Sequence, residues 1–141
     1  MLNFEEIKSF LPQKYPYYMV DRILELKEKE KVVSIKNITG NEIHLLGHFP
    51  DNSIFPGAMI LEVMAQTATF LFYSKTKKQK VNSFLGVVKE VRFIKPVVPG
   101  DQLKVSVSTI RITKNNAYVH AVATVEEQTV AEGDMIFVRR K

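Results

Sequence analysis

The sequence predicts an α+β fold in which a long antiparallel sheet wraps around one central apolar helix. The helix prediction comes from residues 57–73, which are apolar on nearly every side, as is typical of a helix that other elements enclose. The sheet prediction comes from about six stretches with strand-like patterning, the last four of which follow one another through short turns. A chain of 141 residues that is 45% hydrophobic can build one such core, so we expect a single domain over residues 1–141.

The elements before the central helix begin with a short helix. Asn3 can cap its N-terminus, and the acidic residues Glu5 and Glu6 suit its first turn. Apolar residues at helical spacing continue to Phe10, and Pro12 marks the end of the helix. The predicted elements of this region are a helix over 3–10, strands over 19–26 and 31–38, and a loop over 39–56.

Pro56 is well placed for the first turn of the central helix, because the missing amide hydrogen and the fixed φ of proline suit that turn, and the helix is predicted to run from about Gly57. It should continue to about Tyr73, and the basic residues 75–80 then form a solvent-exposed connection. Turn-forming residues near Gly100 and Asn115 separate the strands that follow. These strands are predicted over 83–94, 102–113, 117–126 and 129–138.

Composition excludes several classes of function. The chain has no cysteine, which rules out disulfides, zinc–thiolate sites and thiolate nucleophiles. The first residues are acidic rather than basic and meet two prolines early, unlike a secretory signal, so we expect a cytoplasmic protein. The weakly polar run 54–73 is interrupted by polar residues and is a poor membrane span. A net charge of +5 favours an acidic partner, although the sign alone does not identify it.

A narrow polar stripe crosses the apolar helix. Glu62, Gln66 and Thr69 lie at positions i, i+4 and i+7, so they fall on one helical face. Loss of solvation should raise the pKa of a glutamate buried in this stripe, which makes Glu62 a candidate proton donor near neutral pH. A purely structural glutamate, satisfied by a neighbouring backbone group or an arginine, is an equally open interpretation at this point.

A second candidate, His48, lies in the loop before the helix, between Gly47 and Pro50. A histidine there can act as a base near physiological pH, and a structural role is the alternative. The amides of Gly57 and Ala58 at the helix N-terminus can bind an oxyanion. A base, an oxyanion site and an acid together suffice to remove a proton beside a carbonyl and to expel a β-hydroxyl group.

A metal site is a weaker interpretation of the same region. His44 and His48 have an HxxxH spacing, and Glu62 completes a two-histidine, one-carboxylate set. Glycine and proline around the histidines disfavour a continuous helix that presents both, so we predict no metal. His120, midway along a predicted strand, is expected to be structural.

Five segments along nearly the whole chain carry a resemblance to a known family. They are LPQKYPYYMVDRI, IKNITGNE, GHFPDNSIFPGAMILEVMAQ, VRFIKPVVPGDQL and AEGDMIF. The third is the most specific, since it combines GHFP, the PG pair and E-x-x-A-Q at the family's own intervals. In these motifs the chain resembles the (3R)-hydroxyacyl-[acyl-carrier-protein] dehydratases of type II fatty acid synthesis. The resemblance implies a hot-dog fold and a hydro-lyase that needs no cofactor.

The resemblance also implies roles for individual positions. His48 matches the histidine that removes the C2 proton of the acyl thioester, and Glu62 matches the acid that assists departure of the C3 hydroxyl. Gly57 matches the glycine whose amide binds the thioester carbonyl, and Gln66 matches the glutamine that orients the acid. Two subunits share each site in this family, with the histidine and the glutamate from opposite chains. A homodimer is therefore implied, commonly within a hexamer built as a trimer of dimers.

The acidic partner implied by the resemblance is acyl carrier protein bearing a 3-hydroxyacyl chain. Arg92 and Lys95, in VRFIKPV, match a basic patch that the family offers to this carrier. We expect no nucleic-acid partner, because only the net charge favours one, and no insertion into a membrane. Two alternatives stay open, namely a hot-dog acyl thioesterase and a catalytically silent acyl-binding or scaffold subunit. The spacing of His48 and Glu62 follows the dehydratase arrangement.

Overall fold

The computed structural model describes residues 1–48, 51–76 and 82–140. The helices in these ranges are α1 (Phe4–Phe10) and α2 (Gly57–Thr69), with 3₁₀ turns at Ile43–Leu45 and Phe70–Phe72. The strands are β1 (Arg22–Lys27), β2 (Lys31–Asn37), β3 (Ser83–Phe93), β4 (Gln102–Ile112), β5 (Asn116–Val125) and β6 (Gln128–Arg139). Every predicted strand is present, and the largest displacement of an end is at β1, which begins at 22 rather than 19. Most of the basic connection predicted over 75–80 lies outside the described residues.

The strands form one antiparallel sheet in the order β1-β2-β4-β5-β6-β3. Strands β4, β5 and β6 are neighbours in sequence and in space, while β3 pairs with β6 at the far edge although β4 follows it in the chain. Helix α2 packs against β2, β4 and β5. This arrangement confirms the predicted α+β hot-dog fold, with a long sheet wrapped around one apolar helix.

Helix α1 begins as the sequence predicts. The Asn3 side chain accepts a hydrogen bond from the Glu6 amide (3.0 Å), and the Glu6 carboxylate accepts one from the Asn3 amide (3.2 Å). This reciprocal pair is a capping box, which satisfies two amides that the first turn leaves without partners. Ile7 is fully buried and anchors the helix in the core.

Helix α2 begins at Gly57, as predicted, but ends earlier than predicted. Pro56 is the N-cap rather than part of the first turn, and its carbonyl accepts a hydrogen bond from the Met59 amide (2.9 Å). The α-helix ends at Thr69 and not near Tyr73, because the last turn tightens into a 3₁₀ turn in which Tyr73 N–H donates to the Phe70 carbonyl (3.1 Å). Neither α2, with 13 residues, nor another helix in the described ranges is long and apolar enough to cross a membrane.

The inner face of α2 combines apolar packing with a buried chain of hydroxyl groups. Thr67 Oγ1 donates to the Val63 carbonyl (2.7 Å), so Ser34 of β2 is the donor in its 2.7 Å contact with Thr67. Both hydroxyl groups are buried, and these bonds satisfy polar atoms whose desolvation is otherwise costly. The pair fixes how α2 sits on the sheet. The buried apolar residues of α2 are Ile60, Val63, Met64 and Ala68.

Candidate active site

Gln66 is the centre of a buried hydrogen-bond network on α2. The residue is 1% exposed. Its Nε2 group donates to Glu62 Oε1 (3.0 Å) and to the Tyr17 carbonyl (2.8 Å), while its Oε1 accepts from the Met19 amide (2.9 Å). Because the Met19 N–H can only donate, these bonds fix the orientation of the amide and direct Nε2 toward Glu62.

The surroundings of Glu62 favour the protonated form of its carboxyl group. Burial raises the pKa of Glu62, and the hydrogen bond from Gln66 opposes this rise only in part. Since Gln66 Nε2 donates to Oε1, the other oxygen, Oε2, is the one that can carry a proton. The partner that the structure gives Glu62 is thus a side-chain amide one helical turn away, where the sequence had left open a backbone group or an arginine.

Thr69 does not extend this network, although the helical spacing places it on the same stripe. Its hydroxyl donates to the Ala65 carbonyl (3.2 Å) within the same helix. Such a bond to the preceding turn satisfies a threonine hydroxyl locally and needs no partner from another element. The polar stripe therefore reduces to the pair of Glu62 and Gln66.

His48 lies in the loop between the 3₁₀ turn Ile43–Leu45 and α2 and is partly buried. Its Nδ1 atom is 2.9 Å from the Ile54 carbonyl oxygen. A carbonyl only accepts, so Nδ1 carries the hydrogen, and in the neutral ring the lone pair belongs to Nε2. This is the tautomer that a base acting through Nε2 requires. Phe49 and Pro50, which follow His48 in the GHFP motif, lie outside the described residues.

The N-terminus of α2 presents two amides for which the described residues supply no acceptor. Within the described ranges neither the Gly57 nor the Ala58 N–H donates a hydrogen bond, as expected for the first residues of a helix. Gly57 also lies against the Phe93 ring of β3, and a Cβ atom at this position would come within 3.2 Å of that ring. A larger residue at this position would push the Phe93 ring aside by a few tenths of an ångström, whereas glycine allows the close approach, and the amides are placed where an anionic oxygen can bind.

A buried ion pair holds the loop that leads to His48. Lys36 Nζ is 2.8 Å from Glu42 Oε1, with side-chain exposures of 8% and 12%, and it also donates to the Asn37 carbonyl (2.9 Å). The sequence contained a signal for this pair that our prediction did not use. The alternation of β2 that turns Ser34 inward also turns Lys36 inward, and an inward lysine needs a partner.

A row of aromatic rings connects the surroundings of Glu62 with those of His48, and no motif indicated it. The Tyr17 ring packs edge-on against the His44 ring, with centroids 6.3 Å apart, and the His44 ring packs in the same way against Phe55 (6.3 Å). Burial, and then the negative charge of Glu62, raises the pKa of the Tyr17 phenol. His44 is thus part of an aromatic contact. Among the described residues, no group of three or more His, Cys, Asp or Glu side chains is arranged to bind a metal, so the His44–His48–Glu62 alternative gains no support.

The remaining predicted residues lie on the sheet. Arg92 is exposed near the end of β3, and Lys95 donates a hydrogen bond to the Gln128 side chain. His120 contacts Asp134 Oδ1 through Nδ1 (2.7 Å) and Glu132 Oε1 through Nε2 (3.2 Å), contacts that fit its expected structural role.

A cavity of about 390 Å³ lies away from the candidate site. It is lined by Phe72 beyond the end of α2, by Ser83 at the start of β3 and by residues 112–117 of the β4–β5 turn. None of His48, Gly57 or Glu62 lines it. The cavity belongs to the C-terminal end of α2, whereas Gly57 begins the helix and Glu62 lies in its first half.

Comparisons with known proteins agree with this arrangement. Residues 11–137 match the family model described as the FabA-like domain. The chain belongs to the FabA-like dehydratase family. Two relatives, from Bacillus cytotoxicus and Clostridium botulinum, are both called 3-hydroxyacyl-[acyl-carrier-protein] dehydratase FabZ. Each is 38% identical to this FabA-like chain over 137 residues, which are 97% of this chain and 95% of the relative.

Solved structures share the fold of this FabA-like chain at much lower identity. A chain of the dehydratase heterocomplex ApeI:P from Xenorhabdus doucetiae superposes with a TM-score of 0.82 at 12% identity, covering 96% of this chain and 91% of that chain. The PaaI protein of E. coli, from the phenylacetic acid degradation operon, superposes with a TM-score of 0.65 at 16% identity, covering 83% and 81%. At these identities the likeness shows the common fold and nothing about substrate.

Proposed function

We propose that this chain dehydrates (3R)-3-hydroxyacyl-acyl-carrier-protein to the trans-2-enoyl thioester, in the biosynthesis of fatty acids or a related lipid or polyketide. The observation that carries the proposal is the Glu62–Gln66 pair in the middle of α2, where burial raises the pKa of the Glu62 carboxyl group and so favours its protonated form. Full-length relatives named FabZ support the same reaction. The chemistry is a proton abstraction and a loss of water, so no cofactor is needed. The proposal includes a single domain over residues 1–141 and a cytoplasmic location, as the sequence leads us to expect.

His48 is the base in this reaction. With Nδ1–H donated to the Ile54 carbonyl, the lone pair on Nε2 removes the C2 proton of the thioester. The thioester carbonyl accepts a hydrogen bond from the Gly57 amide, and the positive end of the α2 dipole stabilises the negative charge that develops on the oxygen. The electron pair of the C2–H bond then forms the C2–C3 double bond.

Glu62 is the acid. Its Oε2 atom gives a proton to the C3 hydroxyl as the C3–O bond breaks, and the electron pair of that bond leaves with the oxygen as water. Gln66 supports this step because it donates a hydrogen bond to Glu62 Oε1, which leaves the proton-bearing Oε2 available to the substrate. The reaction leaves Glu62 ionised and His48 protonated. Transfer of a proton back to Glu62 and loss of one from His48 completes the cycle.

We further propose that His48 of one subunit and Glu62 of the other share each site in a homodimer, within a trimer of dimers. Support comes from β3, an edge strand whose backbone groups on one side pair with no other strand in the described chain. Such an edge is a template for pairing with another chain. Four apolar side chains of this strand are also 43–51% exposed, as expected for a surface that a partner covers. These side chains are Phe84 (51%), Val87 (44%), Val88 (43%) and Phe93 (49%).

The carrier protein is proposed to dock beside the end of β3. Phe93 of this strand contacts the helix N-terminus at Gly57, so its exposed neighbour Arg92 lies close to the entrance that a carrier-bound thioester must use. Together with Lys95 it offers positive charge to an acidic carrier. Reversal of the charge in Arg92→Glu should raise KM for a carrier-bound substrate and leave KM for the same acyl chain on free pantetheine unchanged. Arg111→Glu is the matched control. Arg111 is also exposed, but it lies on β4, where it stacks over the Tyr118 ring of β5.

The decisive experiment is incubation of the purified chain with a 3-hydroxyacyl carrier protein. Dehydration appears as enoyl-thioester absorbance and as loss of one water in the mass of the carrier. Release of a free thiol would indicate a thioesterase instead. Tight retention of an unchanged substrate would indicate an acyl-binding subunit, and either of these results without enoyl product would contradict the proposal.

A further inference from the structure

Tyr17 is in contact with the network that supports the acid. Its carbonyl accepts a hydrogen bond from Gln66 Nε2 (2.8 Å), the same group that donates to Glu62 (3.0 Å). The backbone of Tyr17 is therefore fixed, by a fully buried amide, beside the carboxyl group. Burial, and then the negative charge of Glu62, raises the pKa of the Tyr17 phenol.

The ring of Tyr17 is also held by neighbouring aromatic rings. It packs edge-on against His44, at 86° between the ring planes, and His44 packs against Phe55. These contacts limit how the Tyr17 ring can turn and hold it at the border of the candidate site.

The phenol group of Tyr17 is a hydrogen-bond donor that has no acceptor among the described residues. Tyr17 is 41% exposed, and within the described residues its hydroxyl makes no hydrogen bond. Burial and the charge of Glu62 both raise the phenol pKa, so the group keeps its proton at neutral pH. On a residue whose backbone is tied to the Glu62–Gln66 pair, this exposed neutral donor is available to a ligand oxygen.

We propose that Tyr17 is a further catalytic residue, whose phenol donates a hydrogen bond to the 3-hydroxyl oxygen of the acyl chain while Glu62 protonates that oxygen. This inference rests on the proposed dehydration. A hydroxyl oxygen has two lone pairs, so it can accept the Glu62 proton on one and the phenol hydrogen bond on the other. Electron density on this oxygen grows as the C3–O bond breaks, and the bond from Tyr17 therefore strengthens toward the transition state. The phenol keeps its proton, and the water that leaves consists of the hydroxyl group and the proton from Glu62.

Tyr17→Phe tests the proposal, because it removes one oxygen and keeps the ring and the backbone carbonyl. We expect kcat/KM for a 3-hydroxyacyl carrier protein to fall about tenfold, the effect of one lost hydrogen bond to a group that gains charge. Affinity for a saturated acyl-pantetheine of equal length should not change, since that ligand has no 3-hydroxyl. The matched control is Tyr15→Phe in the same segment, where the side chain is 86% exposed and both quantities should stay at the wild-type values.

The possible results separate this inference from the proposed function. Wild-type protein that forms no enoyl product would overturn the proposed function itself. Active wild-type protein with an equally active Tyr17→Phe variant would overturn only the role of Tyr17. A variant that loses affinity for the hydroxylated and the saturated ligand alike would show that the phenol serves packing, which also overturns the inference.

Discussion

The acid and the base of the candidate site are supported in opposite ways. Glu62 belongs to a regular helix, and its partner Gln66 is buried and tied to two backbone groups of another segment. His48 belongs to an irregular loop, is partly buried, and has its ring oriented by the Ile54 carbonyl. One group is built into the core, and the other is placed by a loop.

This difference follows from what each group must do. A carboxyl group holds a proton near neutral pH only where solvation is poor, and a helix packed in the core supplies such a place. A histidine that acts as a base needs the correct tautomer and access to substrate, which a loop can supply. The comparison predicts that changes on the helix alter the pH dependence of activity, while changes in the loop alter the rate.

The largest loss of activity is expected from His48→Ala. The variant has no group that can remove the C2 proton, and kcat should fall about a thousandfold or more. Enoyl-thioester formation under saturating substrate measures this loss. His120→Ala is the control, because His120 contacts two carboxylates on the sheet and should be dispensable for turnover. Equal activity of the His48 variant and the wild type would remove the loop from the mechanism.

Glu62→Gln should have the next largest effect, with kcat reduced about a hundredfold. The glutamine fills the same volume and keeps an oxygen for the hydrogen bond from Gln66, but it has no proton to give to the leaving hydroxyl. The melting temperature at neutral pH should be no lower than that of the wild type, because the change removes an ionisable group that burial disfavours in its charged form. An active, fully folded variant would show that another group is the acid.

Gln66→Leu should change both the rate and the pH profile. Burial raises the pKa of Glu62 and the Gln66 hydrogen bond lowers it, so loss of that bond raises the pKa further. Activity needs protonated Glu62 and is lost as the pH rises through this pKa, so the alkaline limb of the profile should move to higher pH. The plateau rate should fall about tenfold, because the carboxyl group loses its orientation. Thr69→Val, which removes a hydroxyl bonded only within α2, should leave the limb in place, and an unshifted limb in the Gln66 variant would contradict the assignment of the acid.

The sequence predicts the helices and strands and the contact between Glu62 and Gln66, but not the backbone groups from distant residues that hold Gln66. Glu62 and Gln66 lie four residues apart on a helix, and helical periodicity alone places them in contact. The backbone groups that hold Gln66 are 47 and 49 residues away, in a segment without regular structure, and no periodic pattern indicates such a contact. The position of β3 at the sheet edge is a similar case, because strand patterning predicts a strand and not its neighbours.

The smallest effect on turnover, with a clear effect on stability, is expected from Lys36→Met in the support of the loop. The change leaves Glu42 nearly buried without its cation, which should lower the free energy of unfolding by about 3 kcal/mol. Activity per folded molecule should stay close to the wild-type value, because the pair holds the start of the loop and not the His48 ring. Denaturant titration measures the loss.

A matched pair elsewhere in the chain provides the control for this change. Lys27 and Glu30 are also joined by an ion pair (2.6 Å), but their side chains are 73% and 57% exposed, so Lys27→Met should leave the free energy of unfolding close to the wild-type value. The double variant Lys36→Met, Glu42→Leu should recover much of the lost stability, because it removes the unpaired charge as well. If the double variant is as unstable as the single one, the loop depends on the shape of these side chains rather than on their charges. If Lys36→Met alone lowers kcat strongly, the loop start is coupled to His48, and the division between a rigid acid and a separately placed base is wrong.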